Sequence, residues 1–343
     1  MVKIGINGFG RLGRQLLKIA LIKSKEKTVA DIPKLVMIND ANVPTECLNK
    51  LIKKDTYHGN FSVVIETSKD GIILDGSKIH IFRETAADKA PWSKIGVDYV
   101  IDTTGRNSSC ADASKYVTAG VKRIIVTGCS NIPMFVMGVN HACITKEMKS
   151  ISATSPSMNC LAPILRVLHE FFEIEEAAST AFIPLDNSDN ILDDGTPHGC
   201  RAIRSVMGNF YPTSATTKGS FINKIIPELE GKTESSAIKI PVPCVGAIDI
   251  TVKFRKEAPI NILRCKLKEA SQSYMQHIMG FTDDDVGSSD IIGNPNSCVV
   301  DAKATIAISK CSAKVFAWYD AEYAFANRLY DLAKYLCSRE DCV

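Results

Sequence analysis

The chain has 343 residues, enough for two domains and a sizeable core. Its 41 Lys and Arg nearly balance 38 Asp and Glu, and the resulting formal charge of +3 argues against a polyanion-binding protein. With 45% hydrophobic and 23% charged residues, and no apolar run of about 18 residues, the composition is that of a folded, soluble, cytosolic protein.

In chain order, residues 2–7 read as a buried strand, 8–14 as a glycine-punctuated turn and 12–22 as a helix. The charge cluster at 23–27 reads as a solvated loop. Apolar runs at 34–39, 97–102 and 123–127 predict further strands alternating with helices, hence a mostly parallel sheet with right-handed crossovers. After Ser155-Pro156 the pattern changes to a helix over 159–172, a long polar loop over 187–209 and strands at 247–254 and 304–308. This half reads as a largely antiparallel sheet with helices on one face, and 321–337 as a closing helix. The twelve cysteines contain no C-x-x-C pair, so no zinc ribbon, thioredoxin motif or other metal site is expected, and most should be reduced and buried.

Gly8-Phe9-Gly10-Arg11-Leu12-Gly13 fits G-x-G-x-x-G, follows a strand and opens a helix. That context lets a backbone approach a pyrophosphate at the positive end of the helix. Asp40 ends the next strand, where a carboxylate accepts ribose hydroxyls and repels a 2′-phosphate, so NAD is favoured over NADP.

The words Ile6-Asn7-Gly8-Phe9-Gly10-Arg11-Leu12-Gly13-Arg14, Ile38-Asn39-Asp40, Met134-Phe135-Val136-Met137-Gly138-Val139-Asn140-His141, Asn159-Cys160-Leu161-Ala162-Pro163, Ile226-Pro227-Glu228-Leu229, Ser288-Ser289-Asp290 and Trp318-Tyr319-Asp320 follow in order along nearly the whole chain. In them the sequence resembles the glyceraldehyde-3-phosphate dehydrogenase family. The resemblance implies a Rossmann NAD-binding domain over 1–155 plus 321–343 and a catalytic and tetramerisation domain over 156–320. It also implies a homotetramer and NAD-dependent oxidation of glyceraldehyde 3-phosphate through a thioester. NAD would contact Asn7, Gly8, Phe9, Gly10, Arg11, Leu12, Gly13, Asp40, Thr104, Gly105 and Thr127.

That chemistry needs a thiolate at a helix start and a histidine beside it. The family word Ser-Cys-Thr-Thr-Asn-Cys reads here Ser155-Pro156-Ser157-Met158-Asn159-Cys160, with Pro156 at the nucleophile position. Proline suits the first helical position after a Ser cap, so the helix should survive without its reactive atom. The family's Thr-Thr-Val-His-Ala-Ile-Thr reads Thr180-Ala181-Phe182-Ile183-Pro184-Leu185-Asp186, so Ile183 replaces the base. Asp186 and Lys239 stand where the family holds the substrate phosphate with threonine and arginine, and Ser157 is a third phosphate position. A carboxylate about 5 Å from a phosphate costs roughly 3 kcal/mol at an effective dielectric near 20.

Ala321 replaces the asparagine that fixes the nicotinamide. Thr85, Arg106 and Asn107 depart from the pattern on the adenine side, and the segment from Thr127 through Ser130 is one residue short. The expected function is therefore a binding or structural member that keeps the fold and a weakened NAD site, assembled as a homotetramer or mixed with an active relative. The alternative is an active oxidoreductase whose nucleophile has moved to Cys129 or Cys160. His58, His141, His169 and His198 carry no expected catalytic role.

Overall fold

The computed structural model describes residues 1–25, 32–106, 109–128, 131–197, 199–213 and 219–340. Residues 26–27 of the charge cluster, Asn107, Cys129, Ser130 and His198 lie outside them. The chain forms two compact units, one of Met1–Phe135, Cys143–Ser155 and Ala326–Val343, the other of Val136–Ala142 and Pro156–Phe325.

In the first unit β1 (Lys3–Asn7), α1 (Arg11–Ser24) and β2 (Lys34–Asn39) form the opening crossover, followed by α2 (Thr45–Lys53) and the short pair β3 (Lys54–Asp55) and β4 (Gly59–Asn60). Then come β5 (Ile65–Ser68), β6 (Gly71–Leu74), β7 (Ser77–Phe82), α3 (Trp92–Ile95), β8 (Tyr99–Asp102), α4 (Cys110–Thr118), β9 (Arg123–Val126) and β10 (Ser150–Ser152). Among the described residues these strands make an eight-stranded sheet ordered β10-β9-β8-β1-β2-β7-β6-β5. It is parallel from β10 to β7, and β6 and β5 add antiparallel edges. Burial on both faces explains why the middles of β1, β8 and β9 are apolar, with Lys3, Asn7, Asp102 and Arg123 confined to their ends. The strand expected at 97–102 starts at Tyr99 because Gly96 ends α3 in the left-handed region at φ 75° and the Val97 amide bonds back to Trp92.

The second unit contains α5 (Pro156–Phe172), β11 (Ile174–Leu185), β12 (Tyr211–Pro212), α6 (Gly219–Ile225), β13 (Thr233–Pro243), β14 (Val245–Phe254), α7 (Ile260–Gln272), β15 (Met279–Thr282), β16 (Cys298–Ser309) and β17 (Ser312–Asp320). Among the described residues its sheet has the order β12-β13-β11-β14-β17-β16-β15. The pairing is largely antiparallel, with β11–β13 and β15–β16 parallel. Helix α5 lies against this sheet and buries Met158, Cys160, Leu161, Ile164, Leu165 and Leu168. The last helix, α8 (Tyr323–Glu340), begins later than expected because the Asp320 carboxylate accepts the amides of Glu322 and Tyr323 and holds 321–322 in a turn.

The cysteine expectation is corrected. Of ten described cysteines, Cys47, Cys110, Cys143, Cys200 and Cys265 are exposed and only Cys160, Cys244, Cys298 and Cys337 are buried. Cys47, Cys110 and Cys265 ride on helix faces turned to water, a placement that residue type alone does not reveal.

Candidate functional site

In the first unit the turn after β1 is shaped by its glycines. Gly8 has φ +93°, and a Cβ there would meet Thr104 at 2.8 Å. A Cβ on Gly13 would lie 2.2 Å from the Gly8 carbonyl oxygen, so this glycine lets α1 close on β1. Gly10 differs: a Cβ there would meet nothing within 4 Å, and no side chain caps α1. The turn therefore presents an uncapped helix start with open space in front, which fits a pyrophosphate.

Asp40, just past β2, accepts the amide of Phe9 at 2.6 Å on one oxygen and that of Asn42 at 2.8 Å on the other. Each carboxylate oxygen can accept a further bond, so the group that braces the loop can still take ribose hydroxyls. The Phe9 side chain is fully buried, which leaves only its backbone for a ligand. Gly105 has φ +69° and also opens on free space.

Beneath the turn lies a buried polar network. The Asn7 amide donates to Asp102 at 3.1 Å and to the Tyr116 hydroxyl at 2.8 Å, and Asn39 donates to the Asn7 oxygen at 2.9 Å. The Tyr116 hydroxyl donates to Asp102 as well, and Thr104 gives Asp102 both its amide and its hydroxyl. Thr103 donates to the Gly8 carbonyl at 2.8 Å, and Thr127 to the Asp102 carbonyl at 3.2 Å. Asn7, Thr104 and Thr127 thus hold the loop from behind, through contacts that rigidify a site before any ligand arrives.

Leu12 lies half-buried in the first turn of α1. Its neighbour Arg11 reaches Asp55 at 3.4 Å and lies over the Tyr57 ring. Burial opposes ionisation of Asp55, yet bonds from His58 and the Tyr57 amide, with the Arg11 charge, hold its carboxyl well below the usual carboxylate range. His58 is therefore a structural partner. His141 accepts the Gly138 amide at 3.1 Å, and His169 the Ile174 amide at 3.1 Å.

In the second unit Pro156 is the first residue of α5, with Ser157 buried next to it. Thr154, at the end of the first unit, is held at φ 62°, and its carbonyl accepts the Gly128 amide at 2.7 Å. Ile183 on β11 pairs with Lys239 on β13, and Lys239 pairs with Tyr211 on β12. Residues paired across adjacent strands share a face, so these three side chains stand together.

Lys239 is buried, and its ammonium contacts Asp186 at 2.9 Å and Asp189 at 2.7 Å. Asp189 also accepts the Asp186 amide at 2.7 Å and the Tyr211 hydroxyl at 3.3 Å, while Ser188 donates twice to Asp186. Partial desolvation of the exposed Asp186 works against its ionisation, but the charge of Lys239 and the bonds from Ser188 and Lys239 win and lower its pKa. Burial together with Asp189 raises that of Tyr211. The sequence reading named Asp186 and Lys239 and missed Asp189 and Tyr211; a charged residue three after Asp186 was the only signal.

Cys160 is fully buried, and burial, then its contact with Cys298, pushes its thiol well above the ordinary value. Such a thiol is poorly suited to nucleophilic attack. Ala321 gives its amide to the Cys244 carbonyl at 2.8 Å and has no polar side chain to offer a ligand. Arg204 pairs with Asp193 at 2.5 Å inside the 187–209 loop, where Arg201 is exposed.

Comparison with known proteins agrees with both halves. The glyceraldehyde 3-phosphate dehydrogenase NAD binding domain matches residues 2–109, and the C-terminal domain of the same enzyme matches residues 155–321. A glyceraldehyde-3-phosphate dehydrogenase of Wickerhamomyces ciferrii is 36% identical over 339 residues, covering 98% of this chain and 99% of the relative. Glyceraldehyde-3-phosphate dehydrogenase 1 of Kluyveromyces lactis is 36% identical over 98% of this chain and 100% of its own. The cytosolic enzyme of Chlamydomonas reinhardtii is 36% identical over 98% and 97%. The chain, built from an NAD-binding Rossmann unit and a second α/β unit, belongs to the glyceraldehyde-3-phosphate dehydrogenase family.

Proposed function

We propose that this family member keeps an NAD site, weakened at its nicotinamide end, and has lost aldehyde oxidation, so that it serves as a binding or structural subunit. The observation that carries the reading is Pro156 at the first position of α5, where the family pattern puts the nucleophilic thiol. Proline has no group to attack a carbonyl, and Ile183, at the base position, has none to accept a proton. In other covalent enzymes nucleophile and base act as a unit worth on the order of 10⁶ in rate. The rival reading, a relocated thiol, loses support at Cys160 because that sulfur is buried and hard to ionise.

When bound, NAD supplies a hydride acceptor. The glycine turn would take its pyrophosphate and Asp40 its adenosine ribose, while Ala321 leaves the carboxamide without the family's asparagine. The substrate-phosphate positions Ser157, Asp186 and Lys239 are degraded, since Lys239 is spent on carboxylates of the chain itself.

A tetramer, homomeric or mixed with an active relative, is supported by the loop at 187–209 and the residue after it, where Ile191, Leu192, Ile203, Met207 and Phe210 are exposed. We place the protein in the cytoplasm beside the glycolytic relatives, one of which is named cytosolic; among the described residues no helix is long and apolar enough to cross a membrane. The net charge of +3 gives nucleic acid little purchase.

The test is an NAD titration of the purified protein followed by an assay with glyceraldehyde 3-phosphate. Saturable NAD binding that Asp40→Ala weakens, with no NADH produced, is the expected result. NADH formed at ordinary family rates would overturn the proposal.

A further inference from the structure

The ammonium of Lys239 already has two counter-ions. The Asp186 side chain is 59% exposed, so water screens it; that of Asp189 is 9% exposed and that of Lys239 6%. Asp189 is locked in place by the Asp186 amide and the Tyr211 hydroxyl. One cation against two carboxylates leaves this cluster with a formal charge of −1. Its neighbour across the β11–β13 ladder is the apolar Ile183.

We propose that Asp189 is the residue that sets ligand charge on this face: its carboxylate occupies the place an anion would take on Lys239, so the face admits uncharged or cationic ligands and turns away phosphorylated ones. An exposed carboxylate such as Asp186 can swing aside for a competing anion at little cost. A buried one cannot, because displacing it strands a charge out of water. The inference rests on the reading above only in treating this face as a ligand site.

The experiment is calorimetric titration of the full chain with inorganic phosphate. The parent should show no phosphate binding that depends on Lys239, and Asp186→Ser should behave the same, since the buried counter-ion remains. Asp189→Asn should gain saturable binding at least about tenfold tighter than any in the parent, and adding Lys239→Met should abolish the gain. Phosphate held by the glycine turn would be insensitive to Lys239→Met and is thereby separated. Lys239-dependent binding in the parent, a gain from Asp186→Ser alone, or no gain in a folded Asp189→Asn protein would each overturn the assignment. If Asp189→Asn does not fold, the parent and Asp186→Ser titrations still decide it. None of these readouts uses turnover, so aldehyde oxidation by the parent would defeat the inactive reading and leave this test intact.

Discussion

The contrast between Gly10 and Gly13 allows the fold and the cofactor site to be perturbed separately. Gly13→Ala puts a Cβ 2.2 Å from the Gly8 carbonyl oxygen, which must retreat by about 1 Å to reach an ordinary contact. That carbonyl is poorly placed to move, because it accepts the Thr103 hydroxyl at 2.8 Å and the Gly8 amide is tied to Asn39 at 2.8 Å. Overpacking against a fixed backbone atom falls in the upper part of the usual range, about 2–3 kcal/mol, offset by roughly 0.5–1 kcal/mol for alanine over glycine in a helix, so a net loss of about 1–2.5 kcal/mol is expected. Gly10→Ala meets nothing within 4 Å, and its φ of −69° suits alanine. A poorer helix cap and a less flexible unfolded chain nearly cancel there, leaving stability within about 0.5 kcal/mol of the parent. Its methyl nonetheless stands where a pyrophosphate approaches the helix start, so NAD affinity should fall about tenfold or more. Urea unfolding and NAD titration of the two variants decide the matter. Parental NAD affinity in Gly10→Ala, or parental stability in Gly13→Ala, would refute the reasoning.

Restoring Pro156→Cys and Ile183→His should yield a thiol that alkylating agents label but little turnover, and adding Asp186→Thr, Lys239→Arg and Ala321→Asn should raise activity more than additively. Asp189 remains in that five-site protein, so a sixth change, Asp189→Asn, should raise phosphate-dependent turnover again; near-full activity in the two-site protein would show the pocket to be sound. Asp55 has a folded pKa below its ordinary 3.8, so the stability it contributes is present above that pH and lost as pH falls through the folded value. The gap in urea midpoint between parent and Asp55→Asn should accordingly narrow on acidification from about pH 5, and a constant gap would count against the His58 and Arg11 contacts as its source. Light scattering at micromolar concentration should report a tetramer, with Leu192→Glu and Phe210→Glu together shifting it to smaller species; a monomeric parent contradicts the proposed assembly.

Much of the site was legible locally. The turn from Gly8 to Gly13, the carboxylate at Asp40 and the helix opening at Pro156 are each written within a few consecutive residues, because a phosphate-binding turn, a strand end and a helix cap are short-range structures. The residues behind the proposed loss of activity were legible for the same reason: Pro156, Ile183 and Ala321 fall inside words whose neighbours identify the position. Sheet composition followed too, since strands buried on both faces must be apolar through their middles.

Other features needed the folded chain. Lys239 and Asp186 are 53 residues apart, Asn7 and Asp102 are 95, and Arg11 and Asp55 are 44. No local pattern announces such pairs, because the strand register that joins them is set by the packing of whole sheets. Asp189 lies in the polar loop and meets Lys239 only because β11, β12 and β13 come side by side. Exposure of cysteines was misread for a related reason: a small, weakly polar residue goes wherever its element's face happens to point, and α5 turned Cys160 inward while α2, α4 and α7 turned Cys47, Cys110 and Cys265 out. The sequence by itself thus determined the family, the two-part fold and the identity of the residues, Pro156 and Ile183, on which the proposed loss of activity rests, all encoded in short-range order. The tertiary structure alone decided which charges meet, which thiols can ionise and how the old phosphate position is filled, because those depend on desolvation and distance between segments remote in the chain.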